Sequence, residues 1–219
     1  MNDLGRHYRH YWRRLELREQ AQGYRAPCLR WYHAEGLNPT ERVVFERVRA
    51  AGRLLDFGAG DLRLKRKFLA AGFGGRYETL DLSPEFAHEY ADLAEVSGRF
   101  GAILCLEVLE HLPLAAFDPT VDRLVELLEP GGVLVVSTPN PLCVVPMWAR
   151  DAGHIQQYPL ADLVASLLAR GFVVDPFRVR LVPARPTLGQ RLRLLSQRAL
   201  CYLLAVDYAD GLLVIGTRA

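Results

Sequence analysis

Two short stretches carry most of the side chains able to do chemistry. In the first, Leu54-Leu-Asp56-Phe-Gly58-Ala-Gly60-Asp61, an apolar run ends in a carboxylate and passes into a glycine turn. Glycines at such a turn let the backbone approach a ligand closely. A dinucleotide turn of the G-x-G-x-x-G type requires a third glycine where this chain has Arg63. Asp56 and Asp61 would also set negative charge beside a pyrophosphate. The turn therefore suits a ligand with cationic groups and no phosphate. About 20 residues on, Leu80-Asp81-Leu82 supplies another acid, at the spacing from which a carboxylate accepts hydrogen bonds from ribose hydroxyls. In the second stretch Glu107, Glu110 and His111 are separated by three and four residues, so a helical turn puts all three on one face. An imidazole there is a candidate base for a hydroxyl proton. Two carboxylates with imidazole also make a mixed oxygen and nitrogen ligand set for magnesium, manganese or zinc.

The elements that must position these groups read as an alternation. Arg53–Phe57, Tyr77–Leu80, Ala102–Cys105 and Val133–Ser137 are short apolar runs closed by polar or glycine turns, the pattern of buried strands. Asn38, Pro39 and Glu41 sign the start of a helix that stops at Gly52. A second helix is predicted from Asp118-Pro119 to Pro130-Gly131-Gly132, and a third from about Pro159 to Arg170 with Gly171 behind it. Gly211 to Thr217 reads as a last strand. Alternating strands and helices predict a doubly wound α/β sheet, mostly parallel, with helices on both faces and the candidate groups at its carboxyl edge.

Composition narrows the partners. The chain has 219 residues, half of them apolar, and 27 basic against 25 acidic residues give a formal charge of +2. No single-sign field favours wholesale coating of nucleic acid. Cys28, Cys105, Cys143 and Cys201 form no C-x-x-C pair, so neither a zinc knuckle nor a redox dithiol is legible, and free thiols in a reducing cytoplasm are expected. The longest apolar runs are far shorter than the roughly 20 residues of a spanning helix.

Ribose and cationic groups together suggest S-adenosylmethionine, and at this point the sequence resembles the seven-strand, Rossmann-like methyltransferases that use it. The matching blocks are Leu54 to Gly60, Thr79 to Ser83, Tyr90 to Leu93, Phe100 to Leu112 and Leu128 to Asn140, covering roughly positions 40 to 175. The first part is similar to ubiquinone-pathway O-methyltransferases. The resemblance implies that Asp56 and the Gly58 and Gly60 backbone hold the methionine moiety, Asp81 the ribose, and Asp92 with Leu93 the adenine edge. It also sets Ala59, Leu82 and Glu107 beside the cofactor, and brings His154 to the same cleft as Glu110 and His111. His111 and His154, with Glu110, are then the catalytic candidates, and no metal is assigned. Relatives continue the glycine run where this chain has Leu62, and the helix after the second strand shrinks here to a turn around Pro84 to His88.

The resemblance leaves the acceptor open between two classes. Small-RNA 2′-O-methyltransferases share a Glu-x-x-Glu-His with a distal histidine and a metal, but their His- and Arg-rich signature is replaced here by Gly153-His-Ile-Gln-Gln-Tyr-Pro159. An exocyclic-amino DNA methyltransferase would need an Asn/Asp-Pro-Pro-aromatic motif where Leu106-Glu107-Val108-Leu109 stands. The favoured acceptor is a hydroxyl, less so an amine, of a small or lipid-linked metabolite, held near Thr138 to Pro141, His154 and Tyr158; a non-catalytic binding module is the remaining alternative.

Residues 1–37 are expected to form a helical lid on a domain of residues 38–219 of bacterial type. Tyr8, Tyr11, Trp12 and Leu15 form a stripe expected to dock on the core. The segment 183–210 is an addition rich in arginine and leucine, with a helix over about Thr187 to Val206. It packs on the domain, pairs with a second copy, or lays its arginines on anionic headgroups while its leucines meet an isoprenoid or acyl tail.

Overall fold

The computed structural model describes residues 10–145, 148–204 and 206–219. In chain order the elements are α1 (Tyr11–Gln22), β1 (Cys28–Trp31), α2 (Pro39–Val48), β2 (Arg53–Phe57), α3 (Arg63–Ala70), β3 (Arg76–Leu80), β4 (Phe100–Leu106), α4 (Leu114–Leu127), β5 (Leu128–Pro139), α5 (Leu160–Leu168), β6 (Phe172–Leu181), α6 (Leu188–Leu204) and β7 (Gly211–Arg218). The strands form one seven-stranded sheet in the order β1-β6-β7-β5-β4-β2-β3. Only β7 runs antiparallel to its neighbours, β5 and β6.

Period-two alternation divides the core. Leu55, Phe57, Ile103, Cys105, Leu134 and Val136 point to one face, where Leu17 and Ala21 of α1, Phe117, Val121 and Leu124 of α4 and Leu163, Val164 and Leu167 of α5 cover them. Leu54, Ala102, Leu104, Val135, Leu213 and Ile215 point to the other, under Val44, Phe45 and Val48 of α2 and Phe68 of α3. The predicted start of α2 is present in full: the Asn38 side chain accepts from the Thr40 and Glu41 N–H groups at 3.0 Å, and Glu41 accepts from the Asn38 N–H at 2.9 Å.

Several expectations change. The seventh strand, β1, comes from the stretch expected to be a helical lid, pairing parallel with β6 at the sheet edge. At the sheet edge outside β3 the described residues add the isolated bridge Leu80 to Tyr90 and no further strand. Helix α4 starts at Leu114 rather than Asp118, because Asp118 is an anchor rather than a cap. Its buried carboxylate receives Arg170 Nη2 at 2.7 Å and lies 3.6 Å from Arg14 Nη2, while Arg170 Nε bonds Asp122 at 2.8 Å. Pro119 stands inside the helix as its sixth residue, where it withholds an N–H from the Ala115 carbonyl. Helix α4 ends at Leu127 and β5 takes up Pro130-Gly131-Gly132, with a register irregularity against β4 between Phe100 and Ala102.

The aromatic stripe is also corrected. Helix α1 buries Leu17 and Ala21, while Trp12 is 75% exposed and Leu15 exposed; Tyr8 lies outside the described residues. Helix α6 forms as predicted but buries none of its residues, so its leucines do not join the core. Among the described residues no helix is long and apolar enough to cross a membrane.

Arg170 and Asp118 are both nearly inaccessible, at 3% and 2% side-chain exposure. Removing Asp118 takes one of two carboxylates from buried Arg170 and leaves Asp122 on its Nε, so Asp118→Ala should cost about 3 kcal/mol. The check is the urea midpoint, read at an unchanged slope.

Candidate active site

The glycine turn leaves β2 at the carboxyl edge and doubles back against β3. The Gly58 and Ala59 N–H groups donate to the Leu80 carbonyl at 2.8 and 3.1 Å, and the Gly60 N–H donates to Asp81 Oδ2 at 2.8 Å. Asp81 Oδ1 accepts from the Ser83 N–H at 2.8 Å. Asp81 thus braces the turn, and its remaining lone pairs are available to a ligand. Gly58 is irreplaceable for two reasons: its φ is +81°, and an added Cβ would stand 2.3 Å from Val108 Cγ2.

Asp56 closes β2. It is buried, and its Oδ2 accepts from the Tyr77 hydroxyl at 2.7 Å. Burial pushes its carboxyl up to about 6, against the Tyr77 bond, with a smaller push from Asp81. Tyr77 escaped sequence reasoning; it is the diagonal cross-strand neighbour of Asp56, since Asp56 pairs with Thr79.

Glu107 follows β4 with φ +55°, a left-handed conformation that costs a non-glycine residue about 1 kcal/mol or more. Two bonds hold it there. Its N–H donates to the Ser137 carbonyl at 3.0 Å, and Ser137 Oγ donates to Glu107 Oε1 at 2.7 Å. A 3₁₀ turn, Leu109–His111, then sends Glu110 inward and His111 outward. Glu110 is fully buried, and neither carboxylate oxygen has a hydrogen-bond partner. Its backbone carbonyl accepts from Ile155 and Gln156 at 2.9 and 3.0 Å, which brings His154 Nε2 to 3.9 Å from Glu110 Oε1. His111 and His154 have ring centroids 4.8 Å apart, and His111 Nδ1 lies 3.0 Å from the Gly153 carbonyl. Burial raises the carboxyls of both Glu107 and Glu110, and at Glu110 the nearby Glu107 adds to the rise. The pair resists carrying two full charges. A proton or a cation answers that constraint, and ligand atoms of Glu110, His111 and His154 lie within 4.8 Å of one another, close enough to share a metal ion.

These groups border a cleft of about 840 Å³, within the usual range for small-molecule sites. Of the residues singled out from sequence, Asp56, Gly58, Ala59, Gly60, Glu107 and His154 line it. Asp81 stands behind the Gly60 N–H, and Glu110 and His111 behind His154. Leu82, Asp92 and Leu93 do not line it: Leu82 and Asp92 are exposed, and Leu93 packs against the core. Pro139 reaches the cleft from the expected acceptor loop, whereas Tyr158 is buried and stacks on Phe117 at 4.8 Å. Trp31, Ser137, Arg150 and Asp210 are also part of the wall and were not foreseen. Ser137 alone left a signal, as the last residue of a predicted strand on this edge. The acids Glu41, Asp56, Asp61, Glu107, Asp151 and Asp210 outnumber the arginines Arg63 and Arg150, leaving a wall suited to positive charge.

Residues 29–176 match the family described as a methyltransferase domain. The chain belongs to that family. A ubiquinone biosynthesis O-methyltransferase from Xanthomonas oryzae pv. oryzae is 34% identical over 172 residues, 65% of this chain and 66% of that protein. Its counterpart from Xanthomonas axonopodis is matched over 56% of its length, so the aligned part covers just over half to two thirds of these relatives. Among solved structures, a SAM-dependent methyltransferase from Archaeoglobus fulgidus superposes with a TM-score of 0.60 at 15% identity, over 82% of this chain and 91% of that one. A Burkholderia thailandensis 1,6-didemethyltoxoflavin-N1-methyltransferase with bound S-adenosylhomocysteine gives 0.56 at 19%, over 83% and 77%. Such identities establish a shared fold: a methyltransferase-domain sheet, mostly parallel, with helices on both sides.

Within this methyltransferase domain Asp56 gives a pH signature. Its folded carboxyl titrates near 6 against an unfolded value of 3.8, so the stability it allows is present below about pH 4 and is lost as pH rises through 6. Asp56→Asn should therefore match the parent near pH 4 and exceed its stability by up to roughly 3 kcal/mol above pH 7. Urea unfolding between these pH values checks the sign.

Proposed function

We propose that this methyltransferase domain moves a methyl group from S-adenosylmethionine to the hydroxyl of a small metabolite. The observation that carries the reading is the acid-lined glycine turn at the carboxyl edge of β2, facing the same cleft as His154. The residues suit that cofactor. Asp56 and the turn backbone take its cationic methionine end, and Asp81, braced against the turn, its ribose hydroxyls. Bound there, it supplies an electrophilic methyl. The chain's own residues do the rest: the walls hold the acceptor oxygen in line and exclude water, and His154 takes the hydroxyl proton with Glu110 behind it.

Hydroxyl rather than amine is supported by the O-methyltransferase names of the relatives. The apolar part of the wall, with Trp31, Val179, Leu181 and Leu212, supports an acceptor with an isoprenoid or acyl tail. Free, buried Cys105 and Cys143 support a reducing, cytoplasmic setting. A second reading, in which a divalent cation on Glu110, His111 and His154 lowers the acceptor's proton affinity, is favoured by the unpartnered Glu110 carboxylate.

Calorimetric titration of metal-stripped protein with S-adenosylhomocysteine tests the first reading. Micromolar binding is expected, weakened about tenfold or more in Asp56→Asn, which removes one charge from the ligand's cationic end. His154→Ala should keep that affinity and lower turnover by about 100-fold on an acceptor found by methyl incorporation. Absence of binding with or without magnesium or manganese overturns the enzyme reading. A separate metal isotherm that Glu110→Ala abolishes moves the proton step to the cation.

A further inference from the structure

Helix α6 stands on the surface with its apolar side turned outward. At 100° per residue, Leu188, Leu192, Leu195, Ala199, Tyr202 and Leu203 fall within an arc of about 100°. All six are exposed, Leu188 by 74% and Tyr202 by 90%. The opposite side, centred on Gln190, Leu194, Gln197 and Cys201, is the half-buried one, and Gln197 accepts a hydrogen bond there from Arg180 of β6. A surface helix of a globular protein has the reverse arrangement.

Charge is distributed around the stripe with one sign. Arg191 and Arg198 project along one flank of the stripe, Arg193 lies round toward the half-buried side, and no acidic residue occurs between Asp175 and Asp207. Asp207 is itself engaged by Arg178 at 2.9 Å. The apolar surface extends past the helix. Cys143 bridges to Asp207 and the Val144 N–H donates to the Asp207 carbonyl at 2.8 Å, which sets exposed Leu142, Val144 and Val145 beside the chain leaving α6. At the other end, exposed Leu181 closes β6 and lines the cleft.

We infer that α6 is an interfacial helix that docks the protein on an anionic lipid surface, leucines among the acyl chains and arginines at the phosphates. Three features distinguish this occupant from a second copy of the chain. The exposed stripe is wide enough to lie in an interface, its flank of Arg191 and Arg198 matches anionic headgroups, and a helix-to-helix dimer would bring arginines together with no acid between them. The cleft opens at the strand edge from which α6 departs, so docking brings its mouth to the lipid. That last consequence rests on the methyl-transfer reading; the docking itself does not.

The test is co-sedimentation of the full chain with vesicles of phosphatidylcholine alone or with about one third phosphatidylglycerol. Partition onto the anionic vesicles should be at least about tenfold stronger and should fall as salt rises from low to physiological. The double variant Leu192→Glu, Leu195→Glu should lose it, and Arg191→Glu with Arg198→Glu should fall to the phosphatidylcholine level. Unchanged S-adenosylhomocysteine titration, or unchanged circular dichroism and urea midpoint if the parent binds no cofactor, shows these variants to be folded. Equal weak binding to both vesicles, or full binding by the leucine variant, overturns the inference. So does a dimer in sedimentation velocity that the leucine variant dissolves.

Discussion

One hydrogen bond, from the Gly60 N–H to Asp81 Oδ2, fixes the turn on which the site is built. It fastens the end of β2 to the end of β3, and the contact of Gly58 with Val108 presses the same turn against the exit of β4. Val108 is placed by the left-handed Glu107, which is held in turn by Ser137 of β5. Four adjacent strand ends therefore share one set of constraints. Because the sheet interior is close-packed, a displacement at any of them is transmitted rather than absorbed. Precise placement at the carboxyl edge is the consequence, and placement is the larger part of what a methyl-transfer site requires.

The same edge concentrates negative charge in poorly solvated positions. Asp56 and Glu110 are buried; Asp56 accepts a hydrogen bond from the Tyr77 hydroxyl, whereas Glu110 has His154 Nε2 at 3.9 Å. A protein selected for stability alone would place apolar groups here. Buried acids facing a cleft lower the stability of the empty fold and raise its affinity for positive charge, a familiar antagonism between stability and function.

What was legible beforehand divides along physical lines. The limits of β2 and the capping box of α2 follow from signals confined to a few neighbouring residues, and both were foreseen to the residue. Strand β1 was not, because four residues with alternating exposure at a sheet edge have no local signature; their order comes from Arg178 to Leu181 across the chain. Asp118-Pro119 imitates a helix start so well that only the tertiary pull of Arg170 reveals its other use. In the site, Asp56, Gly58, Gly60, Glu107 and Glu110 announced themselves by type and spacing. Tyr77 and Ser137 act across strands, and pairing partners are invisible until register is known.

The parallel pairing of β1 with β6 carries a consequence for biogenesis. Cys28 meets Arg178, about 150 residues later in the chain. On a ribosome adding roughly 5 to 20 residues per second, the first strand waits on the order of ten to thirty seconds for its partner to be made. Through that interval it is a short segment carrying Trp31 and Cys28 whose ladder groups bond only water, and closing so distant a contact is slow even after release. Nascent-chain quality, rather than equilibrium stability, is then where a substitution in β1 would first be felt.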